Sequence, residues 1–371
     1  MRWRVTMAVA GAAACAAGCG LLWPHARDAA GLLAAQDDPV ALSDLQLVRV
    51  VRAQPTAIAD QIEAALAADD PDLANSFVAL AEDLGVSLPA ELTDRVAAAV
   101  ARQNSVGNMA QRFAAGFVTG QSEDAAGLSG AVAGDLLVFG DIRDVVRETS
   151  ALARGEEADR VMLGLAAAGI AITAATYVSV GGTTPVRAGL SLVKDARKIG
   201  RLSAGLSRWA GRSMREVVDT PRLQQAVASS SLLRPAQAAS GIKAAFRTEK
   251  AGALVRVAKD VGRIGSKAGT RGAFDVLKVA DNPKEIARAA RLVESKGAKS
   301  RAILKMLGRG ALVLAAGAFE LALWIFWALM ALFGVVASIK ASTERLTWAW
   351  LNARKARQRR HLLVSSPLTA A

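Results

Sequence analysis

The chain opens with 19 uncharged residues, Val5 to Trp23, behind a basic Met-Arg-Trp-Arg start. A basic head followed by an apolar stretch makes residues 1–23 a signal sequence or a signal-anchor helix, just long enough for a hydrocarbon layer of about 30 Å. Ala16-Ala17-Gly18-Cys19 also has the small-small-Cys ending of a bacterial lipoprotein cleavage site, which makes Cys19 a candidate for lipidation.

Beyond it, residues 40–103 carry the three-and-four spacing of short amphipathic helices. Ser43 or Asp44 can cap the first. Asp70 before Pro71 is a good start for another, because proline loses nothing at the first helical position. Leu73, Phe77, Leu80 and Leu84 then share a face, and Gly85 can end the helix. Pro89 opens the next, with Leu92, Val96 and Val100 on one stripe. Residues 105–130, rich in Gly, Ser and Ala, read as a mobile connection.

Two further stretches lack charge. Residues 161–180 form a candidate transmembrane helix with Gly164, Ala168 and Ala171 or Ala175 on a small-residue face. The competing reading is a buried helix of a soluble domain. Residues 310–340 carry the strongest apolar signal, and Leu321 to Ile339 spans roughly 28 Å as a helix. Glu320 bounds that run on one side and Lys340 on the other. An acid at mid-membrane costs about 3 kcal/mol, so Glu320 belongs at an interface or acts as a functional intramembrane acid. The wider apolar run from Ala311 also allows a re-entrant hairpin. Trp348 and Trp350 then fall at headgroup level, ahead of a basic tail at 341–371.

Between the uncharged stretches, residues 181–309 are basic and helical. Lys194, Lys198, Arg201, Arg208, Arg212 and Arg215 recur at spacings of three, four and seven, with Leu192, Ala196, Ile199 and Leu206 opposite. A long basic amphipathic helix of this kind suits a membrane surface, so these six are candidate lipid-headgroup contacts. Asn282, Pro283 and Glu285 form a capping box for a later helix.

Charge sharpens the division. Residues 24–160 hold ten arginines, no lysine and 22 carboxylates, whereas residues 161–371 hold 34 lysines and arginines against 11 carboxylates. Such asymmetry points to halves in different surroundings, or to two oppositely charged domains packed on each other. Hydrophobic residues make up 52% but aromatics only 5%, so much of the apolar content is alanine, the best helix former. With no alternating run, the expected fold is all-α and membrane-associated: two to three hydrophobic helices, an acidic helical domain at 24–160 and a basic helical region at 181–309.

Candidate chemistry is sparse. Cys15, Cys19, His25 and His361 are the only cysteines and histidines, which excludes a disulfide framework, a zinc site and a Cys/His dyad. No phosphate-binding loop, dinucleotide turn or nucleophile elbow is present. Gly262, Gly265, Gly269 and Gly272 have the wrong spacing for a dinucleotide turn and read as loose connections. Asp135, Asp141 and Asp144 are the one carboxylate group that invites a metal or acid/base reading. Helix capping by Asp141 is the simpler account. No cofactor is expected.

Topology is the open problem. Arg2 and Arg4 hold the first end in the cytoplasm, and three spans would then send the basic tail outside, against the positive-inside rule. A re-entrant hairpin at 311–339 resolves this. So does a 161–180 segment that does not span. The expected partners are the bilayer, its anionic headgroups and another envelope protein. The shortage of aromatics in 186–309 argues against nucleic acid. The expected function is a non-enzymatic anchoring or interaction protein of the bacterial inner membrane, its acidic domain periplasmic. A membrane-permeabilising protein and a small transporter or channel component are the alternatives.

Overall fold

The computed structural model describes residues 2–105, 141, 144–151, 154, 159–176, 184–229, 240–241, 243–314 and 318–364. Every named element among these is helical, and a lone antiparallel bridge pairs Val218 with Phe246. The helices are α1 (Arg2–Ala34), α2 (Pro39–Ala53), α3 (Ala57–Ala67), α4 (Pro71–Leu84) and α5 (Ala90–Gln103). After helical residues 144–151 come α6 (Arg160–Thr176), α7 (Thr184–Lys198), α8 (Ala204–Val217) and α9 (Thr220–Ser229). The last four are α10 (Gly252–Val279), α11 (Pro283–Lys296), α12 (Ser300–Leu307) and α13 (Ala318–Val364).

Local chemistry sets several of these ends. Asp70 accepts from the Leu73 N–H, Pro71 fills the first turn, and Gly85 closes α4 with φ +65°. Asn282 Oδ1 accepts from Glu285 N, and Glu285 reaches back to accept from Asn282 Nδ2 and from the Asp281 N–H, so the box of α11 closes one residue before the cap. The cap of α2 lies earlier than Ser43 or Asp44: Asp38 accepts from Val40 N, with Pro39 first in the helix. Ser43 is buried inside α2.

The chain divides into two units, residues 37–313 and residues 1–36 with 314–371. In the first, here the body, the acidic and basic halves share one hydrophobic core. Leu73, Phe77 and Leu80 of α4 are buried, as expected, and α4 packs on α12. Lys296 reaches Asp44 at 2.6 Å, Lys299 reaches Asp83 at 2.6 Å, and Ser76 Oγ accepts from Ala302 N at 2.9 Å. Residues in contact cannot lie on opposite faces of a bilayer, so the acidic helices α2–α5 and the basic helices α11–α12 occupy one side.

Within the candidate span 161–180, the described residues 161–170 meet a different environment from a bilayer, and residues 177–180 lie outside the described set. Val161 to Ile170 are all buried within the body. Gly164 receives Met214 of α8, where a side chain would collide. The basic amphipathic stretch is likewise not one helix. It breaks at Gly200, φ +68°, and restarts at Ser203, whose hydroxyl accepts from Leu206 N and donates to Ala280 O.

Gly262, Gly265 and Gly272 of α10 mark tight packing instead of loose connections. A Cβ on Gly262 would run into the Pro185 carbonyl of α7, and one on Gly189 into the Ala258 carbonyl of α10. The missing side chains let two backbones cross at contact distance. Only Gly269, φ +74°, interrupts the helix.

In the second unit, α1 and α13 pack along each other. His25, late in α1, stacks on Trp324, early in α13, with centroids 4.9 Å apart. That register belongs to an antiparallel pair. Residues 318–364 are one continuous helix, so no re-entrant turn falls within them. The stretch Leu323–Gln358 is long and apolar enough to cross a membrane.

Candidate functional site

The chemistry-bearing residues collect where α6, α7, Asp141 and residues 144–151 meet. Val186, Leu190, Val193 and Ala196 bury one face of α7, and this carries Lys194 inward with them. Its ammonium lies 2.5 Å from Asp141 Oδ1 and 2.9 Å from Asp144 Oδ2. Lys198, one turn on, approaches Asp144 at 3.6 Å from a more exposed position. Gly169 of α6 makes the space, since a side chain there would strike the Asp141 carboxylate.

Burial divides the two acids. It pushes the Asp141 carboxyl up from its ordinary range, and the attraction of Lys194 only partly offsets this. Burial also opposes ionisation of Asp144, but the hydrogen bond and charge of Lys194, with Lys198 and Arg147, outweigh it and hold that carboxyl down. For Lys194, burial is outweighed by its two carboxylate partners, so its ammonium is held above the usual range. Next to it, Asp195 is pushed up by burial despite Lys198 and Lys194.

A second layer steadies the cluster. Glu148 Oε2 accepts from Asp159 N at 2.8 Å, while Asp159 Oδ1 accepts from the N–H groups of Val161 and Met162 at the start of α6. Arg197 donates to Asp159 Oδ2 at 2.9 Å and ties α7 to that helix start. A separate cluster joins α4, α10 and α12: Arg301 pairs with Asp70 and with Asp275, and Arg271 lies 3.5 Å from Asp70.

Chemically, both clusters are internal charge networks, although in the Lys194 cluster Asp144 Oδ1 is buried without a hydrogen-bond partner. The Lys194 cluster presents two buried carboxylates matched by the buried Lys194 ammonium and the more exposed Lys198, an arrangement suited to locking helices together. Among the described residues, no group of His, Cys, Asp and Glu has the geometry to hold a metal ion. A shallow groove of about 680 Å³ between α3 and α5 is lined by Glu63, Asp69, Arg95, Arg102 and alanines.

Of the residues singled out from the sequence, Asp141 and Asp144 come together, and with Lys194, which was expected on a surface. Lys194 is buried, so it is not available to a lipid headgroup in this fold. Arg201 is 3.9 Å from Asp275. Arg208, Arg212 and Arg215 do form an exposed stripe along α8, and none has an ion-pair partner among the described residues. Asp135 lies outside the described residues. Cys19 is in α1 and Glu320 in the first turn of α13, and their side chains are likewise outside the described set.

Arg301, Asp275, Asp159, Glu148 and Gly169 were not singled out in advance. Local sequence carries no signal for Arg301, whose place in the buried run Ser300–Leu304 follows only from the packing of α12. Comparison of the chain with protein-family models, with curated proteins and with solved structures finds no match.

Proposed function

We propose that this is a non-enzymatic, membrane-anchored protein of the bacterial inner membrane, whose helical body serves an anchoring or interaction role. One observation carries the reading: α13 leaves Phe326, Trp327, Leu329, Phe333, Val336 and Ile339 more than half exposed over a run long enough to span a bilayer. A soluble protein rarely presents so continuous an apolar surface, because each large side chain left in water forgoes about 1.5–3 kcal/mol of burial. The charge clusters of the body support a structural role for its carboxylates. The exposed stripe of Arg208, Arg212 and Arg215 offers an anionic partner, headgroups of acidic lipids, a row of guanidinium groups.

Fractionation of the full chain tests the anchoring. The protein is expected to remain with membranes through high-salt and alkaline carbonate washes. Release by carbonate would remove the anchoring reading. Neutralising the stripe (Arg208→Gln, Arg212→Gln and Arg215→Gln together) is expected to leave that retention intact while abolishing salt-sensitive association with vesicles containing acidic lipid.

A further inference from the structure

The seven tryptophans are unevenly placed. Trp209 belongs to the body, and the other six, Trp3, Trp23, Trp324, Trp327, Trp348 and Trp350, all lie on α1 and α13. With His25 opposite Trp324, the antiparallel register sets Trp23 beside Trp324 and Trp327, and brings Trp3 level with Trp348 and Trp350. Trp3 and Trp23 are separated by about 30 Å of helix, and Trp327 and Trp348 by about 32 Å. That is the thickness of a hydrocarbon core, and tryptophan concentrates at its two boundaries.

Charge marks one of these levels. Arg2 and Arg4 share that end of the pair with Arg345, Arg354, Lys355 and Arg357 against the single acid Glu344, and Arg354 lies 5.3 Å over the Trp350 ring. The uncharged stretches 5–23 and 321–339 overlap side by side for about 14 residues, or roughly 21 Å, and Lys340 can snorkel across the remainder. Ala328 of α13, inside the apolar run, is buried, as a small residue at a close membrane helix contact is.

We infer that α1 is not removed as a signal, and that α1 and α13 together cross the bilayer as a two-helix hairpin with both basic ends in the cytoplasm. Residues 37–313 then lie on the opposite face. This inference rests on the membrane reading above. It removes the topological conflict, because 161–170 is core and only two spans remain. The lysines and arginines of 284–309 raise no objection, since the positive-inside rule counts short loops and a folded segment of this length translocates regardless of charge.

The test uses the full chain with an N-terminal epitope tag, Cys15 and Cys19 replaced by serine, and single exposed reporters Thr56→Cys, Ser266→Cys or Asn352→Cys. Spheroplasts are treated with a membrane-impermeant maleimide before and after permeabilisation. The expected result is labelling at 56 and 266 in intact spheroplasts, labelling at 352 only after permeabilisation, and an intact tag on the mature protein. Protection at 56 or 266, early labelling at 352, or loss of the tag would each overturn the hairpin while the protein still resists carbonate extraction. Release by carbonate would instead defeat the membrane reading itself.

Discussion

Arg301 grips Asp70 through two parallel hydrogen bonds, Nη1 to Oδ1 at 3.0 Å and Nη2 to Oδ2 at 2.8 Å, across 231 residues of chain. The pairing welds the start of α4 to α12 and is the shortest statement of how the acidic and basic halves become one body. Asp70 is at once a helix cap and the anchor of the guanidinium, so the same carboxylate serves local and tertiary structure.

Breaking that pair from one side is costly because a buried charge is left alone. Arg301→Met is expected to destabilise the body by about 3–5 kcal/mol, and adding Asp70→Asn to it to recover part of the loss, since Asn still caps α4. Hydrogen exchange of α4 and α12 in the full chain, held in mild detergent, reads both effects. Equal exchange in Arg301→Met and the parent chain would show that the pair adds nothing.

Acid should act through the same residue. Burial opposes ionisation of Asp70, but the hydrogen bonds and charge of Arg301, the Leu73 N–H and Arg271 outweigh it and hold the carboxyl below its ordinary 3.8. A lowered carboxyl stabilises the fold above the unfolded value, and the contribution is lost as pH falls through the folded one. Between roughly pH 5 and 3, unfolding midpoints are therefore expected to fall less steeply in Asp70→Asn than in the parent chain. Parallel curves would assign the acid sensitivity elsewhere.

Removing Lys194 inverts the sign. Lys194→Met leaves Asp141 and Asp144 buried together without their shared ammonium, so both carboxyls should rise. The variant is expected to lose about 3–5 kcal/mol near neutral pH and to regain stability on mild acidification, as protonation relieves the repulsion. Thermal melts at a series of pH values check this, and a variant that weakens steadily with acid would contradict it.

Two glycines of α10 should fail for different reasons. Gly262→Val forces side-chain atoms into the Pro185 carbonyl and is expected to separate α7 from α10, at a cost above about 3 kcal/mol. Gly269→Ala meets no atom within 4 Å but must adopt φ +74° with ψ 174°, a region essentially confined to glycine, which costs about 1–3 kcal/mol. Melting temperatures of the two variants should differ accordingly, and equal losses would refute the distinction.

What the sequence determined by itself was the helical character, the caps at Asp70 and Asn282, and the apolar run of α13. In each case the interacting atoms lie within a few residues, or the signal is a length matched to a bilayer. Tertiary structure alone decided the rest. An uncharged run such as 161–170 is equally suited to lipid or to a protein interior, and only its neighbours choose. The stripe Lys194, Lys198, Arg201 reads as a solvated face because Asp141, the partner that draws Lys194 inward, lies 53 residues away. Gly262 and Gly265 of α10 carry no signal of their own, because their purpose, the close approach of α7, exists only once the two helices cross.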